Sequence, residues 1–290
     1  MRIVSLVPSA TEIIAALGLV DQLVGRSHEC NYPPEVEAAP VVSASRIDMA
    51  DLPSADIDRA VRDALADGRP LYAVDAKLLE RLAPDVIVTQ DLCEVCAVSS
   101  GELKRVSHID VETVSLDPRD LQEIEESIRT LARHLGAAAK GERLAQDMHH
   151  RIDFVHQLVR GLPRQRVFVA EWLDPPFAAG HWVPEMVDIA GGDDVLGRPR
   201  ERSFATTWEA VAEAAPQLVV LAPCGFDLER TVSEATAVPA LSARVVAVDG
   251  DAAYSRPGPR VAEGVAQLAH LLHPDDFEAP ALHSRELSRH

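Results

Sequence analysis

Basic residues are scarce in this chain: 28 lysines and arginines stand against 46 aspartates and glutamates, a formal net charge of −18. Nucleic acid and anionic membrane surfaces are bound through a basic face, so neither is expected as a partner. Long apolar runs are missing too. No stretch approaches the roughly eighteen apolar residues of a membrane helix, so no membrane span is expected. After Met1-Arg2 the apolar run Ile3–Val7 is stopped by Pro8 and Ser9, and Glu12 puts a charge where the core of an export signal would continue. The chain as written is therefore expected in the cytoplasm, and in the periplasm or at the cell surface if an export sequence has been trimmed from it. Cysteine is limited to four residues, which in a reducing compartment are thiols or ligands rather than disulfides. There is no phosphate loop, no nucleophile elbow, no Ser-His-Asp order and no low-complexity segment. What remains is an ordinary globular composition, 47% hydrophobic and 26% charged, long enough for two moderate cores.

The stretch from Asp117 to Arg160 reads as helix. It opens on Asp117-Pro118, a capping acid followed by a proline whose missing N–H costs nothing at the first turn. Leu121, Ile124, Ile128, Leu131 and Leu135 recur at helical spacing, Gly136 and Gly141 mark a break, and Leu144, Met148, Ile152, Val155 and Leu158 continue to Gly161-Leu162-Pro163. The segments on either side resemble each other. Leu82–Cys93 (LAPDVIVTQDLC) and Ala214–Cys224 (AAPQLVVLAPC) each pass from a helix end through proline to a β-branched run and a loop with cysteine. Such runs suit strands buried on both faces of a parallel sheet. The expected fold class is α/β, with two lobes of mostly parallel sheet joined by one long helix: an N-terminal lobe over 1–116, linking helices over 117–161, a C-terminal lobe over 162–275 and a polar tail over 276–290.

Along the chain, strands are expected near Arg2–Leu6, Leu23–Gly25, Leu71–Val74, Val86–Thr89, Val111–Val114, Arg166–Ala170, Leu218–Leu221 and Val245–Val248. Ser9-x-x-Glu12 and Thr206-x-x-Glu209 read as capping boxes. Ligands of open α/β sheets bind outside the carboxyl ends of the strands, so the loops starting at His28, Gln90, Glu171, Pro223 and Asp249 are expected to face a common cleft. All four cysteines, Cys30, Cys93, Cys96 and Cys224, fall in these loops, as do six of the twelve aromatic residues: Tyr32, Trp172, Phe177, Trp182, Phe226 and Tyr254. Core cysteines would scatter along strands and inner helix faces instead.

Cys93-x-x-Cys96 has three readings. Asp91 and Glu94 would raise the thiol pKa values and blunt a redox role. The spacing suits Zn²⁺ or an iron–sulfur cluster if Cys30 and Cys224, or His28 or His181, supply the other ligands. The plainest reading is two small apolar residues at a strand end. The large aromatics among Asp174-Pro175-Pro176 and Gly180-His181 suit the wall of a pocket for a large flat ligand. His134, His149, His150 and His156 read as solvated helix-face residues.

The segments RIVSLVPSATEIIAALGL, LVGRSHECNYPP, PDVIVTQDLC and FAAGHWVPEMV resemble the cobalamin-binding branch of the iron/B12-type substrate-binding proteins of ABC importers, from about Arg2 to about Pro274. That resemblance implies the class III fold, two α/β lobes joined by a rigid helix, and no enzymatic activity. It implies a cobalamin, another corrinoid or a related metal chelate bound between the lobes and handed to an ABC permease. The expected ligand contacts are Tyr32, Trp172, Phe177, His181, Trp182, Phe226, Tyr254 and Arg256. The candidate metal ligands are Cys30, Cys93, Cys96, Cys224 and His28. The other reading of the residues is an intracellular protein that holds a soft metal or an iron–sulfur cluster through its cysteines.

Overall fold

The structure is a computed structural model that describes residues 1–49, 52–91, 98, 101, 103 and 110–287. It divides into two units: Met1–Leu52 with Asp56–Pro118 and Glu125–Ala145, and Pro53–Ala55 with Arg119–Ile124 and Gln146–His290. The division falls inside the helix Ala138–Leu158, so that one helix belongs in part to each unit.

In the first unit, β1 (Ile3–Ser5), β2 (Leu23–Arg26), β5 (Val86–Thr89) and β6 (Glu112–Ser115) form a four-stranded parallel sheet in the order β2-β1-β5-β6. β3 (Ser43–Ser45) and β4 (Tyr72–Val74) make a separate antiparallel pair. The four residues of β5 are all buried, as a continuous apolar run requires when both sheet faces are covered. Val4, Leu6, Leu79 and Ile87 meet in its core.

The second unit carries a seven-stranded sheet. Its main order is β10 (Phe204–Ala205), β8 (Pro176–Ala178), β7 (Gln165–Leu173), β11 (Leu218–Leu221), β12 (Arg244–Val248) and β13 (Ser284–Glu286), and β9 (Gly192–Asp194) also pairs with β7. β7, β9, β11 and β12 run parallel, whereas β8, β10 and β13 are antiparallel additions at the edges. Phe168, Val211, Val219, Leu221 and Val245 form the core.

Several local expectations are corrected. The linking helix opens at Leu121 rather than Asp117-Pro118, because Asp120 accepts the amide of Glu123 at 2.7 Å and takes the capping role. Asp117 instead accepts from the amide of Asp91 and the hydroxyl of Ser115, which fastens the ends of β5 and β6. The helix then splits into Leu121–His134 and Ala138–Leu158, with Gly136 at φ +68° as the break. Gly141 sits where a Cβ would lie 2.2 Å from the Cβ of Ala132, so its bare backbone lets the second helix fold back on the first.

Neither capping box forms as written. Val7 precedes a helix that starts on Pro8, and Ser9 and Glu12 are buried inside it. Thr207, one residue later than expected, caps Trp208–Glu213 by accepting the amide of Ala210 at 3.1 Å. The expected loop after Ala170 is largely strand, since β7 continues to Leu173 and β8 pairs back on it. Part of the polar tail is strand: β13 pairs with β12, Arg285 bonds Glu229 at 2.6 Å, and Gln267 donates to the carbonyls of Leu282 and His283 at 3.1 Å each.

Candidate functional site

The parallel strands of the second unit end along one edge of its sheet, where ligands of open α/β sheets bind. Trp172 and Phe177 are direct cross-strand partners on β7 and β8, so their side chains stand on the same face of the hairpin. Both are half-buried, and the buried ring of Phe226, from the loop after β11, lies 5.1 Å from Trp172 at 57°. The guanidinium of Arg230 stacks 4.0 Å from the centre of the Phe226 ring. The indole N–H of Trp172 donates to the carbonyl of Ser54 at 3.1 Å, and Glu234 holds both the amide (2.9 Å) and the hydroxyl (2.8 Å) of Ser54. A half-exposed aromatic group is thus built on rigid supports.

Trp182, Tyr254 and Arg256 are placed differently from the expected ligand surface. All three are at most 5% exposed. Trp182 donates its indole N–H to the carbonyl of Tyr254 at 2.9 Å, and the Tyr254 hydroxyl donates to Gln267 at 2.9 Å. Burial also pushes the Tyr254 phenol above its usual range. The guanidinium of Arg256 grips Asp251 with Nε at 3.0 Å from Oδ1 and a second, shorter bond to Oδ2. A buried cation needs such a pairing, and its geometry fixes the loop after β12.

His181 follows β8 on a backbone with φ +50°. Its amide donates to the carbonyl of Glu201 at 2.6 Å, and its carbonyl accepts from the amide of Arg200 at 2.8 Å. Gly180 must be bare there, because a Cβ would lie 2.4 Å from the amide nitrogen of Ser203 and 2.6 Å from the carbonyl oxygen of Glu201. The imidazole lies 5.6 Å from the Trp182 ring, and its Nε2 is buried with no hydrogen-bond partner. Burial, then the charges of Arg202 and Arg119, lower its pKa, so the ring is neutral near pH 7.

The loop that backs His181 begins at Asp194. Asp194 Oδ1 accepts the amides of Leu196 (3.1 Å) and Gly197 (2.6 Å), whereas Oδ2 is buried without a partner. Burial raises this carboxyl to about 6. Arg119, Asp194, Arg202 and Gln267 were not singled out from the sequence. The Arg198-Pro-Arg-Glu-Arg202 run was the available signal, a basic cluster in an acidic chain.

In the first unit, His28 Nδ1 lies 3.1 Å from the Ser43 hydroxyl and 3.4 Å from that of Ser27, and its ring lies 5.7 Å from Tyr72. Its Nε2 is 3.2 Å from Glu29, close enough for an ion pair but without hydrogen-bond alignment. Tyr32 is 43% exposed. Cys30 departs from its expected place as a metal ligand. Its thiol is fully buried, accepts from the Thr11 hydroxyl at 2.9 Å and faces the carbonyl of Ser5 at 3.9 Å. Cys224 is half-buried, with its amide bonded to the carbonyl of Glu171 at 3.0 Å. Cys93 and Cys96 lie outside the described residues. Among the described residues, no group of three or more histidine, cysteine and acidic side chains is placed to hold a metal.

Residues 3–242 match the model of the periplasmic binding protein family. The chain belongs to that family. Its relatives include an uncharacterized ABC transporter substrate-binding lipoprotein of Bacillus subtilis, 25% identical over 96% of this chain and 81% of the relative. A vitamin B12-binding protein of Vibrio cholerae is 23% identical over 93% of this chain and 88% of its own length. Among solved structures, a periplasmic haem-binding protein of Pseudomonas aeruginosa superposes with a TM-score of 0.75 at 20% identity, covering 100% of this chain and 99% of the other. The periplasmic vitamin B12-binding protein of Vibrio cholerae gives 0.67 at 22% identity, covering 96% and 98%. The fold is that of the class III binding proteins, as the resemblance implied, and the chain is a substrate-binding protein of the ABC-importer kind. These relatives give no support to a cytoplasmic location. Among the described residues no helix is long and apolar enough to cross a membrane.

Proposed function

We propose that this protein binds a corrinoid of the vitamin B12 type without transforming it and delivers it to an ABC permease, working outside the cytoplasmic membrane as its named relatives do. The observation that carries this reading is the half-buried pair Trp172 and Phe177, backed by the buried ring of Phe226, at the strand ends of the second unit. Flat apolar faces of this size suit a macrocycle better than a small polar solute. The vitamin B12-binding relatives, aligned over most of both chains, favour a corrinoid. His181 is a further contact in this reading, and Trp182, Tyr254 and Arg256 hold the loops around it.

Titration of the purified protein with cyanocobalamin, followed calorimetrically, tests it. Saturable binding is expected, and Trp172→Ala should weaken it by about 2 kcal/mol, roughly 30-fold. A haem cargo is the second reading, favoured by the neutral imidazole of His181 with its unpartnered Nε2, a group able to face a metal centre. Saturable binding of haemin with a Soret shift that His181→Ala abolishes, and no binding of cyanocobalamin, would replace the corrinoid by haem.

A further inference from the structure

We propose that Arg119, Arg202 and His181 form a receptor for an anionic substituent of the cargo, a carboxylate or a phosphate, which makes charge a determinant of what this protein carries. The inference rests on the reading above for the cargo's ring system, but the receptor itself stands on separate observations. Backbone bonds zip residues 179–181 to 198–201: Arg198 to Ala179 at 3.0 Å, Arg200 to His181 at 2.8 Å and His181 to Glu201 at 2.6 Å. Arg202 is the next residue on that strip. Arg119 is brought to the same place by its neighbour, since Asp120 and Glu123 both pair with the Arg200 side chain.

The local charges are then almost fully assigned. Arg200 takes Asp120 and Glu123, and Arg198 lies 3.6 Å from Glu201 while stacking on Phe204 at 4.0 Å. Among the described residues the guanidiniums of Arg119 and Arg202 have no ion pair, and both residues are exposed. Glu185 and Glu171 stand here too, accepting the amides of Leu121 (3.0 Å) and Gly180 (3.2 Å), so Arg119 and Arg202 are set apart by their missing ion pairs and not by an excess of charge. Beside this strip His181 keeps a buried ring nitrogen with no hydrogen-bond partner among the described residues. The backbone of Arg202 lies 2.7 Å from where a Cβ on Gly180 would stand, next to His181, and its charge and that of Arg119 lower the pKa of the ring.

Two cations and an imidazole N–H satisfy an oxyanion, whose several lone pairs accept charge-assisted bonds stronger than neutral ones. Cobalamin carries such a group in the phosphodiester of its nucleotide loop, and haem carries it in two carboxylates. The chemistry is shared, and the test separates the sources. Cyanocobalamin is compared with dicyanocobinamide, which lacks the phosphodiester, and haemin with its dimethyl ester. Each is titrated against the unmodified protein and against the R119Q/R202Q variant. Within the pair that binds, the charged member should bind about tenfold more tightly to the unmodified protein, and the variant should reduce that preference to near unity.

In parallel, the imidazole resonances of His181 are followed during titration with inorganic phosphate. They should shift saturably in the unmodified protein and not in the variant, whose fold is checked by circular dichroism. If neither macrocycle binds, the proposed cargo fails and the phosphate titration alone decides the receptor. An unchanged preference in the variant, or a His181 resonance indifferent to phosphate, would overturn it.

Discussion

His28 and His181 look alike in the sequence, each a loop histidine shortly after a strand, and each buries its Nε2 without a hydrogen bond among the described residues, but the groups around the two rings differ. The ring of His28 meets two serine hydroxyls at Nδ1 and a carboxylate beside Nε2. The ring of His181 sits on a left-handed backbone, its pKa lowered by burial and by the charges of Arg202 and Arg119, with Nε2 bonded to nothing among the described residues. A histidine reads as functional when no group of the protein stands ready to answer its unassigned nitrogen, as Glu29 stands 3.2 Å from that of His28. Burial without a partner costs free energy, so it persists where something else supplies the bond.

Four changes sharpen or break that contrast. The largest concerns the support of His181. Gly180→Ala drives a methyl into the backbone of Ser203, and we expect a loss of about 3 kcal/mol in urea unfolding. Gly68→Ala, at φ +64° with no atom within 4 Å, should cost only about 1 kcal/mol. Equal losses would mean that the 180–203 contact is not tight.

Asp194 comes next. Its folded pKa is raised to about 6 by burial, so the stability it contributes is present below the unfolded value of about 3.9 and is lost as pH rises through about 6. Asp194→Asn should therefore gain roughly 1–2 kcal/mol over the parent at pH 8 relative to pH 4. A gain that does not change with pH would show that the carboxyl is not held in its protonated form.

For His28, Ser43→Ala removes the closer hydroxyl and should cost about 1 kcal/mol while leaving cargo binding unchanged. A binding loss there would erase the distinction between the two histidines. The smallest effect is a slope. His181 has a lowered folded pKa, so the unfolded chain takes the proton first, and stability falls as pH drops through the ordinary histidine range near 6.5. His181→Gln should flatten that part of the stability–pH curve, in the opposite sense to Asp194→Asn.

Most of the parallel strands, though not β9, and most helices were legible because their cause is local. β5 and β11 are unbroken apolar runs, and the helix Val261–Leu272 follows a clean helical repeat. β13 escaped notice because Ser284-Arg-Glu286 has no apolar face, and only its pairing with β12 and the ion pair of Arg285 reveal it. At the site, Trp172, Phe177 and His181 were readable as large or titratable groups beyond strand ends. The placing of Tyr254 was not, because the partner that claims its hydroxyl, Gln267, lies thirteen residues away on another element. Nor was the freedom of Arg202, which depends on Arg200 finding Asp120 eighty residues earlier. Residue type announces a capability, and pairing at long range decides whether it is already spent.

The pairing of Ser284–Glu286 with Val246–Val248 has a practical corollary for handling the molecule. Trimming the chain before Ser284, or pulling that segment away with a rigid fusion, would uncover the hydrogen-bonding edge of a β-branched strand. Such an edge is a template for other chains. Preparations shortened at this end should self-associate with rising concentration, and an affinity handle is better joined at the opposite terminus.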